Sequence, residues 1–308
     1  MTLRELIETT KLYLFDLDGT LYLSEDVFDF SAELLKEIKA RGARYMFITN
    51  NSSKGSPDYV AKMARLGIEA TEDEFVSSGL VTTRYMCENF ADKKIYLCGT
   101  ESLKNQFLSA GLKVIENYED AECIVLGTDT ELTFKKIDDI CRLLFERPNI
   151  PYIATHPDDV CPTEYGYMPD CGAITEMIFT ATGKRPLVIG KPTPLMPEYA
   201  MYLANCDRDQ TVVIGDRLDT DIACGFAAQT KTLLVYSGFA TPEMYENAEK
   251  KPDLAIADCG VLLEYLIPVF SRISLDTRLS QFLPPHGYAN PTTSYPASSE
   301  RRNLSVST

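Results

Sequence analysis

The chain has 308 residues, 45% of them apolar, which is enough for a sizeable core in one large domain or two smaller ones. Forty-five acidic residues against 30 basic give a formal charge of −15, which argues against nonspecific binding to nucleic acid or to an anionic membrane. Nine scattered cysteines with no C-x-x-C spacing speak against a disulfide scaffold or a zinc site, and two histidines, His156 and His286, are too few for a histidine-rich metal centre. No G-x-S-x-G occurs. The N-terminus has no apolar signal region, and Val261 to Phe270 is too short to span a bilayer, so a reduced, cytoplasmic protein is expected.

The first element is Lys11-Leu12-Tyr13-Leu14-Phe15-Asp16-Leu17-Asp18-Gly19-Thr20, an apolar, aromatic-rich run that ends in two carboxylates and an Asp-Gly turn. It predicts a buried strand with Asp16 and Asp18 at its carboxyl end, pointing roughly the same way. A loop or small hairpin follows over 21–30, and then a helix capped by Ser31 with Leu34, Leu35 and Ile38 on one face. A second strand, 44–48, runs into Thr49-Asn50-Asn51-Ser52-Ser53. The next helix is expected with Ser56 as N-cap and Pro57 at its first position. Hydroxyl, amide and backbone N–H groups between a strand end and a helix start can hold phosphoryl oxygens.

From Leu80 to Pro186 the alternation repeats, with strands at 94–98, 122–126 and 152–154 and helices near 80–90, 101–110 and 133–146. This predicts a second α/β unit with its own sheet. The stretch from His156 to Cys171, rich in Pro, Asp and Gly, reads as a long loop, and Gly172 to Thr182 as a helix. Leu187 to Gly190 reads as a strand of the first unit, ending at Lys191, with Thr193 and Pro194 as cap and first residue of a helix. The run is not a Walker A loop, because Arg185 stands where its first glycine belongs and Pro192 follows the lysine. Thr211 to Gly215 repeats the opening design and ends in Asp216, with Asp221 in the first turn of a helix. A strand at 231–236, a short one at 255–256 and a helix over 261–266 complete the pattern, and the residues beyond Pro284 read as a flexible tail.

Asp16, Asp18, Thr49, Lys191 and Asp216 each follow an apolar strand, and the ends of parallel strands converge on one edge. Carboxylates gathered there repel one another by several kcal/mol per pair, as an order of magnitude, unless something positive is present. Mg²⁺ suits one or two carboxylates together with a substrate phosphate, and Lys191 supplies further positive charge. Such a set provides the positioning and charge stabilisation that phosphoryl transfer needs.

The ordered motifs Asp16-x-Asp18-Gly19-Thr20, Thr49-Asn50-Asn51-Ser52-Ser53, Gly190-Lys191-Pro192 and Gly215-Asp216-Arg217-Leu218-Asp219-Thr220-Asp221 resemble those of the haloacid dehalogenase superfamily. More narrowly, they resemble its 4-nitrophenylphosphatase/NagD-like branch (subclass IIA), whose large cap is inserted between the second and third motifs. The resemblance covers roughly residues 10 to 268. It implies a Rossmann-like, doubly wound parallel sheet core over 1–79 and 187–270 and an inserted α/β cap over 80–186 that sets leaving-group specificity, and it leaves unexplained the residues 271–308, which composition assigns to a flexible tail.

The resemblance also implies residue roles. Asp16 would be the nucleophile that forms an aspartyl-phosphate, and Asp18 the general acid and base. Mg²⁺ would be held by Asp16, the Asp18 backbone carbonyl and Asp216, with Asp221 supporting from behind. Thr49, Asn50 and Asn51 would bind the phosphoryl oxygens, and Lys191 would orient Asp16. The expected activity is Mg²⁺-dependent hydrolysis of a small phosphate monoester: a sugar phosphate, phosphoglycolate, a nucleotide, pyridoxal phosphate or an aryl phosphate. The alternatives are a phosphomutase on the same fold and a non-catalytic phosphometabolite-binding protein. A dinucleotide-dependent oxidoreductase is excluded, because no G-x-G-x-x-G follows the first strand. The expected partner is a small phosphorylated metabolite, and a homodimer could form through the cap. Segment 155–159, with His156, and loop 162–171, with Tyr165 and Tyr167, are the parts of the cap expected to face the core.

Overall fold

A computed structural model describes residues 1–163 and 165–267, so the expected tail at 271–308 lies outside the described residues. Residues 1–267 form one compact unit. In chain order its strands are β1 (Leu12–Phe15), β2 (Tyr22–Leu23), β3 (Asp26–Val27), β4 (Arg44–Thr49), β5 (Phe75–Ser77), β6 (Lys94–Cys98), β7 (Lys113–Ile115) and β8 (Cys123–Leu126). Then come β9 (Tyr152–Ala154), β10 (Val160–Thr163), β11 (Gly166–Pro169), β12 (Leu187–Val188), β13 (Thr211–Gly215), β14 (Lys231–Val235) and β15 (Leu254–Ile256).

Two parallel sheets carry the fold, which is α/β with a doubly wound first sheet. The first has the order β15-β14-β13-β1-β4-β5 and the second β12-β9-β8-β6-β7. From β1 the chain runs outward through β4 to β5, whereas β13, β14 and β15 run outward in the opposite direction. The order therefore reverses between β1 and β13, and open α/β sheets bind ligands in the crevice at such a reversal.

Period-2 alternation explains why β1 is buried along its whole length. Tyr13 and Phe15 pack on one face with Leu34, Leu35, Ile38, Tyr59, Met63 and Leu262. Leu12 and Leu14 pack on the other with Met196, Ala200 and Cys224. The second cluster continues into Ile95, Cys123, Val125 and Ile153, so one apolar layer is shared by the two sheets. The far face of the second sheet is covered by helices Phe134–Glu146 and Cys171–Thr182 through Ile137, Ile140, Ile174 and Ile178.

Several local expectations are corrected. Leu187–Val188 pairs with Ile153 and Ala154 in the second sheet, not the first. An apolar run announces a strand, but long-range pairing chooses its sheet. The stretch from His156 to Cys171 is not a plain loop, because β10 and β11 pair antiparallel within it. Ser31 is the first residue of its helix, behind Phe30, because its hydroxyl donates to Leu21 O at 2.6 Å. Gly55 caps the helix Ser56–Arg65, putting Pro57 at its second position, and Asp58 Oδ2 accepts from Gly55 N. The helix after Lys191 begins at Leu195 behind Pro194, and Thr193 Oγ1 turns back to Ile189 O.

Candidate active site

Asp16 continues β1 beside β13, and its N–H donates to Ile214 O at 2.8 Å. Asp216 continues β13. Both therefore stand in the crevice where the strand order reverses. Lys191 reaches the same place from the second sheet. Its Nζ lies 2.6 Å from Asp16 Oδ1 and 2.6 Å from Asp221 Oδ1, and donates to Ile48 O at 3.2 Å. Only 3% of the lysine is exposed, so its charge acts in a low-dielectric environment. Burial works against the ammonium, but Asp16 and Asp221 together raise the Lys191 pKa above its ordinary value.

Carboxylate oxygens of Asp16, Asp216 and Asp221 lie within 4.8 Å of one another. Burial, together with the charges of Asp221 and Asp216, holds Asp16 well above the usual carboxylate range even with Lys191 opposing it. Asp216 is pushed up to about 7, first by burial and then by Asp221. Three acids facing one ammonium are short of positive charge, and oxygen donors of this kind fit a hard divalent cation. Both Asp221 oxygens are already engaged, one by Lys191 Nζ and one by Arg217 N at 3.1 Å. Asp16 and Asp216 are thus the pair with capacity for a cation.

Asp216 is held by a loop that sequence reading missed. Phe239 N donates to its Oδ2 at 2.6 Å, Ala240 N donates to its backbone O at 2.9 Å, and Ser237 Oγ donates to Gly19 O at 2.6 Å. The signal was present, since Ser237-Gly238 follows a strand end as the recognised motifs do.

Asp18 stands apart from the four-residue cluster. Its Oδ1 accepts from Ser24 N at 3.2 Å, in the β2–β3 hairpin, and the Tyr22 side chain also bonds to it. Burial raises its pKa, while Lys62, packed 4.0 Å above the Tyr22 ring, works against the shift.

The loop after β4 is fixed by its own hydrogen bonds. Asn51 N donates to Thr49 Oγ1 at 3.3 Å, and Asn51 Oδ1 accepts from Ser53 N and Ser53 Oγ. Tyr59 OH donates to Asn51 O at 3.0 Å, and Ser78 Oγ to Asn50 O at 2.5 Å. The Asn50 side chain is used up in protein contacts: Oδ1 accepts from Lys191 N, and Nδ2 donates to Lys191 O and to the Asp158 carboxylate. Of the expected cap contacts, Asp158 meets this loop and His156 is fully buried, whereas Tyr165 and Tyr167 are exposed.

Residues 13–113 match the family model for haloacid dehalogenase-like hydrolases, and residues 188–260 match a HAD-hydrolase-like model. The acid sugar phosphatase of Staphylococcus aureus (strain MRSA252) is 33% identical over 248 residues, 80% of this chain and 95% of that protein. The crystal structure of 4-nitrophenylphosphatase from Thermotoga maritima superposes with a TM-score of 0.80 at 36% identity, covering 85% of this chain and 99% of the other. Glycerol phosphate phosphatase from Mycobacterium tuberculosis, solved in complex with calcium, gives 0.77 at 27% identity, covering 85% of this chain and 76% of the other. The four motifs, the strand order and these matches agree, and the chain belongs to the haloacid dehalogenase-like hydrolases, in their 4-nitrophenylphosphatase/NagD-like branch.

Proposed function

We propose that this chain is a Mg²⁺-dependent phosphatase that hydrolyses a small phosphate monoester through an aspartyl-phosphate on Asp16. The observation that carries this reading is the buried Lys191 bridge between Asp16 and Asp221, set beside Asp216. The ammonium engages Asp16 Oδ1, the oxygen that would also meet the cation, and leaves Oδ2 for phosphorus. The oxygen attacks, the ester P–O bond breaks, and the leaving oxygen takes the proton of Asp18. Asp18, now a carboxylate, accepts a proton from water as that water attacks the acyl phosphate. This regenerates Asp16 and releases orthophosphate. A carboxyl with a raised pKa is suited to the first of these proton transfers.

Mg²⁺ would be held by Asp16, the backbone carbonyl of Asp18 and Asp216, where it would offset the negative charge of the phosphoryl group. Thr49 and the N–H groups of Asn50 and Asn51 would bind phosphoryl oxygens, with the Asn50 side chain serving as a brace. Residues 80–186 would act as the cap, extended by the strand Leu187–Val188, and the core would comprise 1–79 and 189–267. The names of relatives, acid sugar phosphatase and glycerol phosphate phosphatase, favour a phosphorylated polyol or sugar as substrate.

The test is orthophosphate release from 4-nitrophenyl phosphate and from a panel of sugar and polyol phosphates, with Mg²⁺ and with chelator. Asp16→Asn should lose at least about 4 kcal/mol of barrier lowering, roughly a thousandfold in kcat. Turnover of that variant within a few-fold of the parent would end the assignment.

A further inference from the structure

A buried histidine joins the second sheet's loop to the phosphate-binding loop. His156 is fully buried at the end of β9. Its Nε2 lies 3.0 Å from Thr128 Oγ1, which donates to Asp170 Oδ1 at 2.7 Å. On the other side, Nδ1 lies 3.5 Å from Asp158 Oδ2 and accepts from Asp158 N at 3.4 Å. Asp158 is itself mostly buried. Burial would raise its pKa, but His156, Lys191 and Arg217 overcome this and hold it below the usual range. The Asp158 carboxylate accepts from Asn50 Nδ2 at 3.1 and 3.2 Å.

The chain of contacts then reaches the catalytic lysine. Asn50 Oδ1 accepts from Lys191 N at 2.8 Å, and Nδ2 donates to Lys191 O at 3.1 Å, so one carboxamide grips both backbone groups of the residue whose Nζ touches Asp16. The fit is close enough that a Cβ on Gly190 would come within 2.6 Å of Asn50 Oδ1. Since the same amide nitrogen also needs Asp158, the orientation of Asn50 depends on a residue from outside the recognised motifs.

We infer that Asp158 and His156 are positioning residues of the hydrolytic site: His156 accepts from the Asp158 backbone N–H and fixes that residue in place, and Asp158 locks Asn50 so that Lys191 and the phosphate loop hold their geometry. This rests on the phosphatase reading above. Neither residue is proposed to touch substrate. Misplacement of a reacting group by about 1 Å can cost a hundredfold in rate, so a brace of this kind has kinetic consequences.

The two ring nitrogens have different partners, and that permits a discriminating test. An asparagine at 156 places an amide near the position of Nδ1, on the Asp158 side, whereas a glutamine places one near Nε2, on the Thr128 side. In the full-length protein, Asp158→Ala should lower kcat about ten- to a hundredfold and weaken inhibition by orthophosphate in parallel. His156→Gln should lose about tenfold in kcat, and His156→Asn should recover most of that loss.

If Asp158→Ala folds with kcat and orthophosphate inhibition both within twofold of the parent, the inference is wrong. It is also wrong if both His156 variants lose activity only in proportion to their loss of thermal stability. Should Asp158→Ala fail to fold, the His156 pair decides. Absence of turnover in the unmodified chain would instead count against the phosphatase reading itself.

Discussion

Gly238 lies against the carboxylate of Asp216: a Cβ at 238 would stand 2.6 Å from Asp216 Cγ and 2.7 Å from the Cα of Gly19. With backbone on one side and a site acid on the other, a side chain at 238 would force one of them to shift. The loop after β14 can therefore close over Asp216 and donate Phe239 N only because residue 238 has no side chain.

Gly238→Ala should consequently weaken Mg²⁺ activation by displacing the Asp216 carboxylate, with a cost of about 1–3 kcal/mol from overpacking. A titration of activity against Mg²⁺, with the melting temperature alongside, checks this. An unchanged activation constant would show that Asp216 has room to move.

Lys191→Met should be more damaging than an ordinary surface-lysine change. It leaves Asp16 and Asp221 facing each other without their shared cation, and removing one partner of a buried ion pair typically costs about 3–5 kcal/mol. Denaturant unfolding should register that loss, and kcat should fall at least about a hundredfold because Asp16 is no longer oriented. A stable variant with parental kcat would contradict the role given to the ammonium.

Asp18 predicts an alkaline limb in the pH profile. Its pKa is raised by burial, so the proton it gives to the leaving group is present below that raised value and lost as pH rises through it. Asp18→Asn should hurt an alkyl phosphate far more than 4-nitrophenyl phosphate, whose leaving group needs no proton. Equal losses on both substrates would remove Asp18 from the acid role.

Asp216 couples stability to pH in the metal-free protein. Its folded pKa lies near 7 against an ordinary 3.8, so the native state binds a proton that the unfolded chain lacks over that interval. The Asp216 contribution is fully present below the ordinary value and is lost as pH rises through about 7. Protons and Mg²⁺ compete for the same oxygens, so added Mg²⁺ should raise the melting temperature more at about pH 8 than at about pH 5. Calorimetry at the two pH values tests the sign, and a larger shift at the lower pH would refute it.

Much of this protein was legible because its chemistry sits at strand ends. Leu12–Phe15 and Thr211–Gly215 are short, apolar and continuous, so the strands and the acids that end them could be read locally. The caps were less legible. The hydroxyls of Ser31 and Thr193 were claimed by distant or backward carbonyls, Leu21 O and Ile189 O, a competition invisible to a local pattern. The β10–β11 ribbon escaped notice because its composition is that of a turn-rich loop, and pairing across a hairpin rather than propensity makes it a strand pair.

By itself, the sequence determined the α/β class, the order of the four motifs and the residues at Asp16, Asp18, Thr49, Lys191, Asp216 and Asp221, because periodicity and turn chemistry are properties of neighbours along the chain. Only the tertiary structure decided that Lys191 arrives from the second sheet, that Gly238 must be bare, and that Asp158 and His156 stand behind Asn50. Those relations join residues far apart in the chain, Gly19 and Gly238 among them, and they follow from which surfaces pack together and which buried polar atoms must find a partner there.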